Sequence, residues 1–375
     1  MAGDADATYT AVTSGEAGAE RTVIEARRGA PEVGTNGAAG DRRRATVAWR
    51  AELDGGGGPL VRSGALVVAA IAGTVAAGGV SLRGSPGAIA IGLDAATGTV
   101  RWRLAIDSSE WAVITAACPA GDGAGGVLLG GSFGGTLRAG ARVVSSGGVG
   151  DGFVARVSAA GEVGFLIRVG GPGPDAVHGV AAAGDRLAIA GTFSAGADLL
   201  GAALPAFDPQ SLAADGFVAE LDARAARPRW TATFGGKLDD AVAGVAIDGR
   251  GRVVVAGTAR DVVHVGGRDL RAQGAADALV AWWDRGGAAG PAILLGGAGL
   301  DGATAIAAVG DRVVVGGFSG DGALLAALDG GAVVQTWPAD GAGREEIAAL
   351  APVPGGFIAG VARAAGARLV VRAAR

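Results

Sequence analysis

The sequence predicts an all-β repeat protein, and three observations support this class. The stretch DGFVARVSAAGEVGFLIRVGG begins at Asp151 and recurs in similar form from Asp215 and from Asp277. The copies lie roughly 60 residues apart, which gives each unit room for four short strands. Glycine supplies 72 of the 375 residues, and short strands joined by glycine-rich turns are typical of all-β folds. A unit of this size cannot bury its own apolar faces, so it must stack on its neighbours.

A β-branched run that ends in a small residue and a glycine marks one strand of each unit. Examples are RLAIAGTF, RVVVAGTA and RVVVGGFS. The pattern occurs six times, with its second glycine at Gly73, Gly131, Gly191, Gly257, Gly317 and Gly360. Six copies of one strand type predict six units.

Each unit contains four predicted strands, which we name a to d in chain order. Strand a is of the type DAVHGVAA (175–182), strand b is the glycine-ended run, strand c is of the type DGFVAEL, and strand d carries a tryptophan in PRWTATFGG (228–236). Strand c alternates, so that Phe217, Ala219 and Leu221 share one face while Val218 and Glu220 share the other. Long linkers separate b from c in three units, and we expect them to be loops on one face, at 134–150, 194–214 and 260–276.

The two ends of the chain complement each other. The last unit stops after a predicted strand c, whereas TVAWRAEL (46–53) has the pattern of strand d and precedes any strand a. Pairing these ends closes a ring and leaves only short sheet edges. We therefore predict a β-propeller over residues 45–375, with six blades, the N-terminal strand closing the last blade, and seven blades as the alternative. Residues 1–44 lack periodicity and predict a disordered leader or linker.

The unit resembles the bacterial β-propeller repeat of the SBBP type. That pattern is matched by DGFVARVSAAG, DGFVAELDARA and DALVAWWDRGG, each followed by a GG ending and by a strand b of the IAG, VAG or VGG type. The segment GLDAATGTVRWRL (92–104) also resembles a blade of quinoprotein-type propellers. The first resemblance implies an uncharacterised exported, cell-surface or lipoprotein-like protein. The start MAGDADATYT, however, predicts no signal peptide at Met1.

Composition excludes several classes of protein. The net charge is −4, Lys237 is the only lysine, and basic residues with interleaved aromatics are missing, which argues against nucleic-acid binding. Cys118 is the only cysteine, so no disulfide forms within the chain. Ser63–Leu82 has the length of a membrane span, but its ALVVAAIAG matches strand b, and we interpret it as a buried strand.

Patterns that suggest catalysis match by chance. Gly130–Gly134 fits G-x-S-x-G, but it ends a strand b and no helix follows. Gly297–Gly302 and Gly121–Gly126 fit G-x-G-x-x-G without the helix that phosphate binding requires. His178 and His264 belong to different units, and Asp248 begins a hairpin turn. We therefore predict no catalytic residue and no bound cofactor.

Acidic residues recur where strand a begins. If strand a is the innermost strand, their carboxylates form a ring at one mouth of the channel, which would suit calcium or a basic ligand. The simpler interpretation is that each carboxylate caps its own turn by accepting backbone N–H groups. The ring would comprise Glu110, Asp175, Asp239, Asp240, Asp301 and Glu345.

These observations favour a non-enzymatic scaffold that binds a protein, glycan or cell-surface partner through its loop face. We expect a monomer with no membrane span and no nucleic-acid partner. The alternative is an enzyme of quinoprotein or hydrolase type that uses the channel mouth, and a third interpretation is a spacer within a larger assembly. The resemblance favours an exported or cell-surface location.

Overall fold

The computed structural model describes residues 7–14, 21–28, 46–54, 56–72, 75–77, 80–82, 87–210, 213–320, 322–337, 345–353, 356–363 and 366–373. Every regular element within these residues is a strand, and neighbouring strands pair antiparallel. The strands form seven sheets in chain order, which we number 1 to 7, and a separate hairpin of Val75–Ala77 with Val80–Leu82. The predicted all-β class is confirmed.

The first three sheets carry the strands of the N-terminal half. Sheet 1 has the order Ala7–Ser14, Arg21–Arg28, Thr46–Asp54. Strands a to d of sheet 2 are Gly56–Ser63, Leu66–Ala72, Ala88–Asp94 and Val100–Ser108, and Thr136–Ala139 and Arg142–Ser145 extend the sheet outward. Sheet 3 has Trp111–Pro119, Val127–Gly134, Asp151–Val157 and Val163–Gly170, extended by Asp198–Leu199 and Ala202–Ala203.

The remaining sheets repeat this order. Sheet 4 has Ala176–Ala183, Arg186–Phe193, Asp215–Asp222 and Pro228–Gly236, extended by Val262–Val265 and Arg268–Arg271. Sheet 5 has Ala241–Ile247, Val253–Ala259, Asp277–Trp283 and Ala289–Leu295, and sheet 6 has Asp301–Val309, Arg312–Ser319, Gly322–Asp329 and Ala332–Thr336. Sheet 7 has Glu345–Val353, Gly356–Arg363 and Gly366–Ala373. From sheet 2 to sheet 7, each strand a lies against strand a of the next sheet, as a radial array requires.

The core lies between consecutive sheets, because strand c is buried on both of its faces. Phe217, Ala219 and Leu221 pack into the cluster shared with sheet 3, while Val218 packs into the cluster shared with sheet 5. The predicted alternation is therefore confirmed, and each of its two faces belongs to a different core. This arrangement explains why both faces of strand c carry apolar residues.

A β-bulge in strand a explains the glycine that marks strand b. The register of strand a shifts at Val177/Gly179 in sheet 4, and the same shift occurs in sheets 3, 5, 6 and 7. The bulge carries the carbonyl oxygen of Ala176 over the Cα atom of Gly191, where any Cβ atom would overlap it. Gly131, Gly257 and Gly317 meet the equivalent oxygen in their own sheets.

The three long linkers between strands b and c are hairpins rather than the expected loops. Each hairpin reaches back and pairs with strand d of the preceding sheet, as Leu137 does opposite Ser108. The linkers alternate apolar and polar residues, so the paired strands turn their apolar side chains to one face of the sheet. On that face the pairing fully buries Leu137, Leu199 and Val263. The turn at Gly140 adopts a φ of 56°, which favours glycine.

Sheet 1 differs from the prediction at the N-terminus. Ala7–Ser14 and Arg21–Arg28, which fall in the segment expected to be disordered, are paired strands. Arg21–Arg28 also pairs with Thr46–Asp54, and Ile24 is fully buried against sheet 2. Sheet 1 ends with Thr46–Asp54 and sheet 7 ends with Gly366–Ala373, so the described strands do not form the predicted closing pair. The alternating pattern RTVIEARR supplies a nearer partner for the strand at 46–54.

Candidate functional site

One end of the sheets gathers the repeated acidic residues, and we call it the loop face. At this end strand b leads into strand c, and strand d leads into strand a of the next sheet. We call the second connection a junction and name it by the two sheets that it joins, so that junction 3–4 joins sheets 3 and 4. An aspartate begins strand c in three sheets, and a second aspartate begins the following strand a. Each of these six side chains is no more than 4% exposed: Asp151 with Asp175 at junction 3–4, Asp215 with Asp240 at junction 4–5, and Asp277 with Asp301 at junction 5–6.

The GG ending of strand d makes room for each aspartate pair. A methyl group on Gly296 would lie 2.5 Å from Oδ1 of Asp277 and 2.8 Å from Oδ2 of Asp301. A methyl group on Gly170 would likewise lie 2.7 Å from Oδ2 of Asp175. The first glycine of the motif is therefore required because carboxylates approach it closely: both aspartates do so at Gly170 and Gly296, and Asp215 alone does so at Gly235.

The pair at junction 3–4 is fully supplied with hydrogen-bond donors. Asp151 accepts bonds from Ser146 Oγ at 2.8 Å and from Arg168 Nη1 at 2.6 Å. Asp175 accepts bonds from the amides of Gly171 and Ser194, both at 2.7 Å. Arg168 thus places a cation beside the pair, as buried carboxylates require.

The pairs at the next two junctions have fewer donors. Asp215 accepts a bond from the amide of Phe207 at 2.8 Å, and Asp240 accepts one from the amide of Arg260 at 3.1 Å. The other oxygens, Oδ1 of Asp215 and Oδ2 of Asp240, are buried without a donor in hydrogen-bonding geometry among the described residues, although the nearby amide of Gly236 lowers the pKa of Asp215 somewhat.

Junction 5–6 repeats this deficit. Asp277 accepts a bond on Oδ2 from the amide of Gln273 at 3.0 Å, and Asp301 accepts one on Oδ2 from the amide of Gly297 at 2.8 Å. Oδ1 of Asp277, one of the two oxygens that face Gly296, is buried without a partner among the described residues. Unpaired buried carboxylate oxygens are costly, so both junctions are electrostatically incomplete.

Burial dominates the ionisation of these carboxyl groups. It raises the pKa of Asp240 to about 7, and the nearby charges of Asp215 and Asp239 raise it further, whereas the amide of Arg260 opposes the shift. Burial raises the pKa of Asp175 to about 6 and also raises the pKa of Asp215. Such groups favour the protonated form at a pH where exposed aspartates are ionised.

The raised pKa of Asp240 predicts that stability falls as pH increases. The folded-state pKa of about 7 exceeds the ordinary value of 3.8, so this group contributes stability below pH 4 that is lost as the pH rises through 7. The loss is at most about 4 kcal/mol. We expect Asp240→Asn to flatten the decline of Tm between pH 4 and 8 in buffer with chelator. Asp239→Asn, at an exposed neighbour, should keep the decline, and an unchanged slope in Asp240→Asn would contradict the assignment.

Three residues of the predicted carboxylate ring, Asp175, Asp240 and Asp301, belong to these aspartate pairs. Asp175, Asp240 and Asp301 each accept a backbone amide, which agrees with the turn-capping interpretation. Glu110 and Asp239 are exposed, and Glu345 is buried at the start of sheet 7. The described residues contain no group of three or more metal-ligating side chains. Asp151, Asp215 and Asp277 were not predicted as partners, although they recur in the sequence at the start of strand c.

The other singled-out residues have local roles. Ser132 lies within strand b, and the strand continues to Gly134. His178 Nε2 lies 3.1 Å from Thr192 Oγ1, and burial lowers the pKa of His178. His264 lies near the opposite edge of sheet 4 and contacts Asp269 at 2.5 Å. Asp248 accepts the amide of Arg252 at 2.9 Å and forms the predicted hairpin turn.

Apolar side chains are exposed on the same face. Trp111 begins strand a of sheet 3 and is 39% exposed, and Val149 in the neighbouring linker is 68% exposed. Phe207 is 40% exposed and stacks on His264 with ring centroids 5.5 Å apart. Leu238 and Leu300, in the loops that enter strands a of sheets 5 and 6, are also exposed. The loop face therefore combines the buried aspartate pairs with exposed apolar side chains. We call the exposed set, Trp111, Val149, Phe207, Leu238 and Leu300, the apolar rim.

Solved structures similar to this chain include two propellers and a dehydrogenase. The propeller of Dos1 has a TM-score of 0.51 and 11% sequence identity, and the match covers 94% of this chain and 75% of that one. The β-propeller domain of the trilobed protease from Pyrococcus furiosus has a TM-score of 0.46 and 10% identity over 99% and 94%. Europium-containing methanol dehydrogenase has a TM-score of 0.42 and 12% identity over 94% and 80%. Together with the radial array of sheets, the likeness to the Dos1 propeller places this chain among the β-propellers.

Sequence comparisons add no narrower class. No protein-family model matches the chain, and no curated protein matches it. The SBBP-type repeat therefore stays a prediction. None of the described residues forms a helix with the length and hydropathy of a transmembrane span. Part of the stretch 63–82 forms strand b of sheet 2.

Proposed function

We propose that this β-propeller is a non-enzymatic scaffold that binds a macromolecular partner on its loop face. The observation that carries the proposal is the set of exposed apolar side chains on this face, which includes Trp111 and Val149. Trp residues surrounded by apolar contacts contribute much of the binding energy in protein interfaces. An exported or cell-surface location follows from the repeat resemblance alone and stays a prediction.

Trp111 is held in a fixed position, which suits it to binding. A methyl group on Gly150 would lie 2.7 Å from its Cζ2 atom, so the ring lies in close contact with the linker at Gly150. Trp111 also pairs with Gly134 across strands a and b. A ring that is already ordered loses little conformational entropy when a partner covers it.

The chemistry of the rim favours a protein over a glycan as the partner. Val149, Leu238 and Leu300 offer apolar surface and no side-chain hydrogen bonds. Burial of such side chains is favourable against a complementary apolar surface, whereas sugar hydroxyls would lose their bonds to water without replacement.

Selection of random peptides displayed on phage tests this proposal. Peptides that bind the full chain should lose at least tenfold in affinity for Trp111→Ala, in line with the ~2 kcal/mol expected of a central tryptophan. Val333→Ser is the control, because Val333 is 44% exposed on the outer strand of sheet 6, away from the loop face. Peptides that bind both variants equally would contradict the proposal. Binding to a panel of oligosaccharides that is lost in Trp111→Ala would replace the protein partner with a glycan.

An enzyme of quinoprotein or hydrolase type is the second candidate. The observation that favours it is the raised pKa of Asp240, since a carboxyl group that is protonated near neutral pH can act as a general acid. Turnover of an alcohol with an added quinone and a dye acceptor, or of a nitrophenyl ester, would favour the enzyme if Asp240→Asn abolished it.

A further inference from the structure

The three aspartate pairs of the loop face differ in one respect, which is the residue two positions before the first glycine of the GG motif. At junction 3–4 this residue is Arg168, which bonds both Asp151 and Asp198 at 2.6 Å. At junction 4–5 the same position of strand d is occupied by Thr233, whose hydroxyl donates to the Pro205 carbonyl.

At junction 5–6 the corresponding residue is Leu294, which packs into the core between sheets 4 and 5. The register confirms the equivalence, because Phe153 lies opposite Arg168, Phe217 opposite Thr233, and Leu279 opposite Leu294. One junction thus carries its own guanidinium, and two junctions have an uncharged side chain in that place.

The missing charge coincides with the unsatisfied oxygens. Oδ1 of Asp215 and Oδ2 of Asp240 are buried without a partner at junction 4–5, as is Oδ1 of Asp277 at junction 5–6. All three residues are no more than 2% exposed. Two like charges in one buried place repel each other and lack hydration, so they require either a cation or a proton.

The other charges near junction 4–5 do not supply the missing cation. Arg260 acts on Asp240, but its side chain is exposed, while Asp239 adds a further negative charge. Asp208 and His264 act on Asp215 with opposite signs. The nearby groups therefore leave the pair close to two negative charges when it is ionised.

We propose that junctions 4–5 and 5–6 each bind one calcium ion between their two aspartates. The donor set consists of oxygens alone, which suits a hard cation rather than zinc or copper. Calcium tolerates an irregular shell of six to eight oxygens and accepts carboxylates, main-chain carbonyls and water together. Two carboxylates balance its charge, and the convergence of Asp277 Oδ1 and Asp301 Oδ2 beside Gly296 sets the place at junction 5–6.

The competing arrangement is a single proton shared by each pair. It would satisfy one oxygen and remove one charge without any metal, as carboxyl pairs do in other proteins. The two arrangements respond differently to calcium. A shared proton makes Tm independent of calcium, whereas an ion that binds only the folded chain raises Tm with the logarithm of the free calcium concentration once that concentration exceeds Kd.

The test is isothermal titration of the chelator-treated full chain with calcium chloride at pH 7, followed by thermal unfolding. We expect two ions per chain, release of protons on binding, and a rise in Tm of about 3 °C at saturation. Asp277→Asn should reduce the stoichiometry from two ions to one. Asp151→Asn should leave it at two, because Arg168 makes junction 3–4 independent of metal.

A second variant keeps the test decisive if Asp277→Asn fails to fold. Leu294→Arg copies junction 3–4 into junction 5–6 and supplies the cation from the chain itself. It should bind one ion instead of two and should have a higher Tm than the parent in chelator. Absence of calcium uptake by the parent chain, with Tm equal in calcium and in chelator, would overturn the proposal and leave the shared proton.

Discussion

Replacement of Arg186 by methionine is expected to destabilise the protein by about 3 kcal/mol. Arg186 lies in strand b of sheet 4 and donates from Nε to Oε1 of Glu220 at 2.8 Å and from Nη2 to Oε2 of the same residue. Its Nη1 also donates to the carbonyl of Gly251 in the turn of sheet 5, at 2.7 Å. Glu220 is only 1% exposed. The change to methionine therefore leaves its buried carboxylate without the guanidinium that neutralises it.

The substitute partner is Arg229, whose Nη1 lies 3.3 Å from Oε1 of Glu220. This contact keeps the expected loss at the lower end of the range for a broken buried pair. The loss would be measured as the decrease in Tm and in the midpoint of urea unfolding.

Two matched variants separate the buried pair from ordinary surface charges. Arg186→Met combined with Glu220→Leu removes both charges and should recover most of the lost stability, because an apolar pair needs no compensation. Arg250→Met breaks pairs of an exposed arginine with Asp329 and Asp311 and should change Tm little, because solvent screens these charges. A double variant that is less stable than Arg186→Met alone would show that the pair stabilises the fold beyond its charge balance.

Replacement of Gly191 by alanine is expected to cost about 3 kcal/mol. Its new Cβ atom would overlap the carbonyl oxygen of Ala176 and lie 2.8 Å from Cε1 of Phe217. Relief requires either flattening of the bulge in strand a or displacement of a fully buried ring, and both disturb the core between sheets 3 and 4.

Gly164→Ala is the control for this prediction. Gly164 also lies within a strand, but a methyl group there would make only ordinary contacts with Arg156, the nearest atom being Cδ at 3.5 Å. The change should be neutral or slightly stabilising, because alanine restricts the unfolded chain more than glycine does. Equal Tm values for the two variants would show that the bulge adapts freely to a Cβ atom.

Local patterns in the sequence predict the strands well and their long-range partners poorly. The alternation in DGFVAEL reflects the two buried faces of a single strand, and the glycine at position 191 reflects a contact with the adjacent strand of the same sheet. The structure confirms the strands that both patterns predict. The hairpins at 134–150, 194–214 and 260–276 have the same alternation, but their partner is strand d of the preceding unit. Nothing within a linker specifies pairing with a strand some 30 residues earlier.

The candidate site was predictable only in part for a similar reason. The recurrence of Asp175, Asp240 and Asp301 indicated a shared role, and the structure places them at equivalent junctions. Their partners were missed because an aspartate at the start of a strand is usually solvated. The approach of Asp277 to Asp301 becomes visible only in the folded structure. The strand register likewise shows that Leu294 occupies the position that Arg168 occupies two units earlier.

The hairpins that reach back also determine where one repeat ends and the next begins. A unit cut from strand a to strand d would leave behind the two outer strands that its successor contributes, as Val262–Val265 and Arg268–Arg271 contribute to sheet 4. The segment that could be exchanged as a whole therefore does not coincide with one sheet. It starts in the middle of one unit and ends in the middle of the next, after the hairpin that completes its sheet. Duplication or grafting of repeats should succeed only at those offset boundaries, so growth of the array by whole sheets is disfavoured.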